Sequence, residues 1–192
     1  LSPLVGDRVA ISIIDETDKK GNIEKIYERK TELVRPPIAN IDKVLITFSV
    51  KEPSPNMVLL DRFIVFSEKE NLDIRIVLTK VDLDKDGTIV DRIVSDYEKI
   101  GYKVIPVSVE TGQGVDQVRH ELEGCISVFA GQSGVGKSSI LNAIEPDFKL
   151  ETAEISQKLG RGKHTTRHSQ LYKLGPNAIV ADTPGFSSFD LT

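Results

Sequence analysis

The sequence Gly131-Gln132-Ser133-Gly134-Val135-Gly136-Lys137-Ser138 decides the fold class of this 192-residue chain. It matches the pattern G-x-x-x-x-G-K-[S/T] in full, between a predicted strand at 126–130 and a predicted helix at 138–144. Glycines let such a loop curl so that successive backbone N–H groups point inward and bind phosphate oxygens. Lys137 would contact the β- and γ-phosphates, and the Ser138 hydroxyl would coordinate Mg²⁺. Together with Ser139, the motif predicts a nucleotide-binding P-loop.

Strand and helix patterns alternate from Ile41 onward, on both sides of this motif. Apolar residues at helical spacing predict helices at 57–66, 89–100 and 115–122. Short apolar runs, typical of strands buried on both faces, occur at 44–48, 74–78, 104–107, 126–130, 170–174 and 178–181. This alternation predicts an α/β domain with a mainly parallel sheet and helices on both faces.

The tetrapeptide Thr79-Lys80-Val81-Asp82 follows a predicted strand and is similar to the guanine motif N-K-x-D. The Asp82 carboxylate can accept hydrogen bonds from guanine N1–H and the exocyclic amine, which adenine does not offer, while the stem of Lys80 would lie over the base. Thr79 stands where the pattern prefers Asn, and its hydroxyl has fewer bonding options. A helix-capping Asp is the alternative for the tetrapeptide alone. Ser108, after the strand at 104–107, is similar to the loop that supports guanine through a backbone N–H.

Asp182-Thr183-Pro184-Gly185 follows the last predicted strand and matches D-x-x-G. The Asp182 carboxylate would hold Mg²⁺ through water, and the Gly185 N–H would sense the γ-phosphate. The basic loop before it contains Thr165 and Thr166, one of which would supply a further Mg²⁺ ligand; the sequence leaves the choice open. A turn without function and a solvated basic loop are the plainer interpretations of these two segments.

The motifs occur in an unusual order, because the guanine motif precedes the P-loop, whereas ordinary small GTPases begin with the P-loop. This order indicates a circular permutation joined through Glu123-Gly124, which the closeness of chain ends in such folds permits. Phe186 occupies the place of the glutamine that orients the attacking water in many GTPases, so we expect slow intrinsic hydrolysis. His164 is the candidate replacement; a structural or RNA-contacting His164 is the alternative.

The first 35 residues predict a separate unit. Strand patterns at 9–13 and 23–27 flank a polar turn and predict a hairpin. Two strands do not make a stable core, so we expect the end of a small β-barrel whose beginning is absent; a hairpin decorating the main domain is the alternative. The extended linker Arg35-Pro36-Pro37 then marks the boundary between domains 1–35 and 36–192.

Composition narrows the function classes. The net charge of −4 excludes a generally basic nucleic-acid-binding chain. No apolar run approaches the roughly 20 residues needed to cross a bilayer, and no signal peptide is recognisable. The first residue is not Met, so we expect the true N-terminus to lie upstream. A single cysteine, Cys125, excludes an internal disulfide, favours a reducing cytoplasm, and is expected to be a buried structural thiol.

Three segments in permuted order, G-Q-S-G-V-G-K-S-S, G-R-G-K-H-T-T-R and D-T-P-G-F, resemble the ribosome small-subunit-dependent GTPase A family. The resemblance extends to P-L-V-G-D at 3–7 and E-L-V-R-P-P-I at 32–38, so it covers essentially the whole chain. It implies an N-terminal OB-fold, a permuted GTPase domain that uses GTP/GDP and Mg²⁺, and a C-terminal zinc domain. We expect the start of the barrel to be missing from this sequence and the zinc ligands not to lie in this chain, so Zn²⁺ is expected only in that further domain.

The resemblance also implies a role in late maturation of the small ribosomal subunit, with hydrolysis stimulated by that subunit. We accordingly expect the small subunit and its rRNA as partners, no membrane, a monomer, and a cytoplasmic location. A local basic patch fits an RNA partner: Lys158, Arg161, Lys163, His164, Arg167 and His168. The two rivals are a nucleotide-binding regulatory module with negligible turnover, which Phe186 keeps open, and a P-loop ATPase.

Overall fold

The computed structural model describes residues 2–18, 20–34, 37–146 and 169–182, with Asp182 described by its backbone only. Within these residues the chain forms strands β1 (Val9–Asp15), β2 (Lys20–Ile26), β3 (Glu32–Leu33), β4 (Ile38–Ala39), β5 (Lys43–Ser49), β6 (Asp73–Thr79), β7 (Lys103–Val107), β8 (Ile126–Ala130), β9 (Gln170–Leu174) and β10 (Ala178–Asp182). The helices are α1 (Met57–Lys69), α2 (Thr88–Lys99), α3 (Val115–Leu122) and α4 (Lys137–Ile144), with a 3-10 turn at Val81–Leu83. The predicted strands and helices are thereby confirmed.

A six-stranded sheet in the order β7-β6-β5-β8-β10-β9 forms the centre of the main domain. Every neighbouring pair is parallel except β10 and β9, which run antiparallel. The register pairs Ser49 with Thr79 and Thr79 with Val107, so three strands end at the same level. The carboxyl ends of parallel strands meet at one edge, which is where open α/β sheets bind ligands.

Helices cover the sheet on both faces, as predicted. Alternate residues of each central strand point to opposite faces; in β6, Ile76 and Leu78 pack on the side of α1 and α2, whereas Val77 packs on the side of α3 and α4. Buried aliphatic and aromatic side chains form an apolar core on each side of the sheet. The sheet is therefore a rigid platform for the loops at its carboxyl edge.

The N-terminal hairpin has a different character. Strands β1 and β2 pair antiparallel, and Ile11, Ile13 and Ile23 are each more than half exposed. The next segment joins the main core, because β3 pairs with β4 and Leu33 is buried together with Ile38. Sequence reasoning did not predict this small pairing. The boundary at residue 35 stays a prediction; Arg35 and Pro36 lie outside the described residues.

An ionic cluster, buried at its centre but exposed at Lys103, lies at the opposite, amino-terminal edge of the sheet. Glu121 of α3 accepts hydrogen bonds from three cations, one at or near the start of each of three strands: Lys43 at 2.8 Å, Arg75 at 2.8 Å and Lys103 at 2.5 Å. The side chains of Glu121 and Lys43 are only 11% and 10% exposed. One carboxylate thus fixes α3 against β5, β6 and β7.

Two smaller expectations can be compared with the structure. Cys125 is half-buried, not fully buried as predicted, because it lies in the turn between α3 and β8. The longest described helix, α1, has 13 residues, and none of the helices in the described ranges is long and apolar enough to span a bilayer.

Candidate nucleotide-binding site

The loop between β8 and α4 requires glycine at both ends. Gly131 has φ +136°, and a Cβ placed there would lie 2.0 Å from the carbonyl oxygen of Thr47. Gly136 has φ +102° and directly precedes the first residue of α4. L-residues with a side chain rarely adopt such backbone conformations. The local sequence therefore produces the strand–loop–helix shape that the motif predicted.

The loop carries backbone donors suited to an anion. Among the described residues, no backbone carbonyl accepts a hydrogen bond from the N–H groups of Ser133, Gly134 or Gly136. The first turn of α4 adds the partial positive charge of a helix N-terminus. Donors without acceptors beside a helix start match the requirements of a phosphate group.

Lys137 places a cation inside this loop. Its side chain is buried, and its ammonium donates to the carbonyls of Gly131 and Gln132 at 2.5 and 2.7 Å. Burial lowers the pKa of Lys137 to about 8. Within the described ranges no carboxylate forms an ion pair with it. The ammonium is therefore available to neutralise a phosphate chain.

A cleft of about 290 Å³ opens beside the P-loop, between the ends of β6 and β7 and the start of α4. Its walls are Thr79, Lys80, Asp82, Leu83, Val107, Val109, Glu110, Gly136, Ser139 and Ile140. The predicted guanine motif and P-loop thus border one cavity, mostly apolar in its walls, as a flat base requires. Sequence reasoning missed the apolar walls, in which Val107 ends β7, Val109 follows it and Ile140 lies in α4.

Ser108 acts on Asp82 through its side chain. The Ser108 hydroxyl donates to Oδ1 of Asp82 at 2.6 Å, and the Ser108 N–H donates to the carbonyl of Gln113. Ser108 is fully buried and is not among the lining residues. Its N–H already has a partner, so Ser108 contributes by orienting the carboxylate, while Val109 and Glu110 form the adjacent wall.

Thr79 connects the guanine motif to the P-loop. Its buried hydroxyl lies 2.5 Å from the carbonyl oxygen of Val135 and 3.2 Å from that of Phe48. A hydroxyl has one proton to donate, and the shorter contact shows that it goes to Val135. Thr79, standing in place of Asn, therefore still links the guanine motif to the P-loop, but its hydroxyl has no further proton to donate to a base. The recognition of a base by Asp82 stays a prediction.

The remaining residues of the tetrapeptide differ in their roles. Lys80 has φ +57° and lines the cleft, and its ammonium donates to the carbonyl of Glu52. Val81 is buried in the larger apolar core and does not line the cleft. The side chain of Val81 thus holds the 3-10 turn that presents Asp82.

The predicted Mg²⁺ ligands are described only in part. Ser138 is half-buried in the first turn of α4. Asp182 ends β10, whose register pairs Ala181 with Val128 and so places Asp182 near the carboxyl end of β8, from which the P-loop leaves. A hydroxyl and a carboxylate are the hard oxygen donors that Mg²⁺ prefers, so the two residue types fit the ion. His164, Thr165, Thr166, Gly185 and Phe186 lie outside the described residues, as do the residues of the basic patch.

In the described part of the chain, no group of three or more His, Cys, Asp or Glu residues could hold a metal ion.

Known proteins are similar to this chain in sequence. The RsgA GTPase family profile matches residues 26–192. The chain is 49% identical over 191 residues to the small ribosomal subunit biogenesis GTPase RsgA of Alkaliphilus metalliredigens (strain QYMF), and 51% identical over 193 residues to that of Geobacillus sp. (strain WCH70). Both alignments cover 100% of this chain and 65% of the relative, so the chain spans about 65% of the length of these curated relatives.

Solved structures agree with the sequence relatives. The crystal structure of YjeQ from Thermotoga maritima matches with a TM-score of 0.80 and 36% identity, over 97% of this chain and 62% of that one. YloQ, described as a circularly permuted GTPase, matches with a TM-score of 0.73 and 39% identity, over 100% of this chain and 60% of that one. These matches confirm the predicted circularly permuted P-loop GTPase fold, and with a profile match over most of its length the chain belongs to the RsgA GTPase family.

Proposed function

We propose that the protein binds and hydrolyses GTP and acts in late maturation of the small ribosomal subunit. One observation carries the nucleotide assignment: the Asp82 carboxylate, oriented by Ser108, borders the same cleft as the P-loop residues Gly136 and Ser139. A ligand that satisfies both ends has a guanine-type edge and a phosphate chain. The relatives' name, small ribosomal subunit biogenesis GTPase, supports the place of action.

The roles of the site residues follow from their chemistry. Lys137 would neutralise the β- and γ-phosphates, and the N–H groups of 133–136 would bind phosphate oxygens. Ser138, Asp182 and either Thr166 or Thr165 would hold Mg²⁺, which supplies positive charge where the leaving and transferred phosphates separate. The Gly185 N–H would sense the γ-phosphate. His164 would orient the attacking water in place of the glutamine that Phe186 replaces.

The proposal also covers the domains, partners and location of the protein. Residues 36–192 form the permuted GTPase domain, and residues 1–35 the end of an OB-fold, with zinc confined to a further domain. The basic patch would contact rRNA, and the protein acts as a cytoplasmic monomer. The exposed isoleucines of the hairpin support its assignment to the wall of a β-barrel.

The first test is GTP turnover by the full-length protein, alone and with purified small ribosomal subunits. We expect slow turnover alone and clear stimulation by the subunit. His164→Ala is expected to lower the stimulated rate by about 10²-fold, the lower range for a general acid–base or water-orienting group, with nucleotide binding unchanged.

Large ribosomal subunits serve as the control partner. Turnover that no subunit stimulates would contradict the ribosomal role and favour a binding module with negligible turnover. Stimulation that persists in His164→Ala would remove His164 from the active site and leave the rest of the proposal in place.

Asp82→Asn tests the choice of base. Asn presents an N–H where the carboxylate accepts from guanine, so we expect GDP affinity to fall by at least about tenfold, the value of one lost charge-assisted hydrogen bond. Xanthine, which offers an acceptor at that position, should bind the variant better than guanine does. Competition by GDP, XDP and ADP against a fluorescent nucleotide measures the affinity for GDP and the preference between the bases.

Asp86→Asn is a matched control, because Asp86 is a loop carboxylate that bonds Thr88 outside the cleft. Unchanged discrimination in Asp82→Asn, or a wild-type protein that prefers ADP, would favour the ATPase alternative.

A further inference from the structure

The end of strand β5 carries a buried hydroxyl that no recognised motif contains. Ser49 is 1% exposed and pairs with Thr79 across the sheet. Its Oγ donates to the carbonyl of Pro53 at 2.7 Å. This bond folds the loop 50–56 back onto the strand that it leaves.

The same loop supplies the acceptor for Lys80. The ammonium of Lys80 donates to the carbonyl of Glu52, and the Val50 N–H donates to the carbonyl of Thr79 at 3.1 Å. Glu52 has φ +55°, a conformation that residues with a side chain rarely adopt. Contacts around the turn must therefore hold it, and the Ser49–Pro53 bond closes the turn directly across Glu52.

Lys80 lines the cleft, and its ammonium also donates a hydrogen bond to the carbonyl of Glu52. Because its ammonium bonds to the carbonyl of Glu52, which does not line the cleft, its aliphatic stem has fewer conformations to lose when a flat ring packs against it. Without that anchor, a ligand would have to order a long side chain on binding.

We propose that Ser49 is a positioning residue for binding of guanine nucleoside diphosphates and triphosphates, acting through the Glu52 carbonyl on Lys80. The inference rests on the proposed function and adds to it a residue outside the nucleotide motifs. It assigns the loop 50–56 to the nucleotide site although the loop does not line the cleft.

The test measures dissociation of N-methylanthraniloyl-GDP from the full-length protein in a double-mutant cycle of Ser49→Ala and Lys80→Ala. Ser49→Ala alone is expected to raise the dissociation rate constant about three- to tenfold, as loss of one hydrogen bond allows. In the Lys80→Ala background the same change is expected to alter it less than about twofold, because the side chain through which Ser49 acts is gone.

Ser54→Ala, an exposed serine in the same loop, is the matched control and should leave the rate unchanged. The thermal midpoint of each variant separates loss of folding from loss of positioning. Equal fold-changes in both Lys80 backgrounds, or an unchanged rate in Ser49→Ala, would overturn the inference while leaving the proposed function intact. A wild-type protein that does not bind the analogue would contradict the proposed function itself.

Discussion

Lys137→Ala is expected to lower GTP turnover at saturating nucleotide by about 10³-fold, the upper value for removing one preorganised donor from a charged transition state. The reason lies in the geometry of the free site. The ammonium is buried in the loop and held by two carbonyls, of Gly131 and Gln132. It is already oriented before a phosphate arrives, so little reorganisation accompanies the reaction. Single-turnover hydrolysis with the small subunit present measures the effect.

Lys173→Ala is the matched control, because Lys173 is an exposed lysine on the edge strand β9. The control should hydrolyse GTP as the wild type does. Since Lys137 is a buried cation held by neutral carbonyls, its removal should leave the free energy of unfolding unchanged or higher. A variant that keeps turnover within about tenfold of the wild type would contradict the assigned role, tenfold being about 1.4 kcal/mol.

The pH dependence of binding provides a second signature of Lys137. Burial lowers its pKa from 10.5 to about 8 in the nucleotide-free protein. Between these values the unfolded chain holds one more proton than the folded chain, so this group makes stability rise with pH. A phosphate chain requires the charged form, so GDP affinity should fall as pH rises above about 8, by at most about tenfold per unit. Lys137→Ala should lack that dependence.

The sequence predicted the framework of the site because its signals are local. The P-loop glycines, the strand before them and the helix after them lie within about twenty consecutive residues. Periodicity in the same way predicted the central strands and the helices on both faces. Such patterns depend only on the spacing of residues along the chain.

Contacts between distant segments could not be predicted in this way. Ser108 and Asp82 are 26 residues apart, and only the alignment of β6 with β7 brings the hydroxyl to the carboxylate. The hydroxyl of Thr79 finds the carbonyl of Val135 across 56 residues. The sequence pattern identified these residues only as members of motifs, whereas the register of the sheet determines which residue each of them contacts.

The ionic cluster shows the same dependence on register, and it leads to the largest expected effect on stability. Glu121→Ala is expected to lower the free energy of unfolding by about 3 kcal/mol, near the lower end for breaking a buried ion pair. Among the described residues, the variant leaves the buried Lys43 with only one partner, the carbonyl of residue 121, which its ammonium contacts at 2.7 Å. Urea unfolding at pH 7 measures the difference. Glu98→Ala, an exposed carboxylate on α2, is the control.

Lowering the pH should reduce the free energy of unfolding, as Glu121→Ala is expected to do. Burial acts to raise the pKa of Glu121, but hydrogen bonds from Lys103 and Lys43 and the charge of Arg75 outweigh it and hold the pKa near about 2. In the unfolded chain the pKa is 4.5, so this contribution is complete above that pH and is lost as pH falls toward 2. Glu121→Ala should therefore lose less stability than the wild type between pH 5 and 3.

A double mutant tests why Glu121→Ala is destabilising. If the loss of unfolding free energy arises from an unpaired Lys43, then Lys43→Met should recover part of that loss in the Glu121→Ala protein but destabilise the wild type. Additive effects of the two substitutions would show that Glu121 stabilises α3 by packing alone.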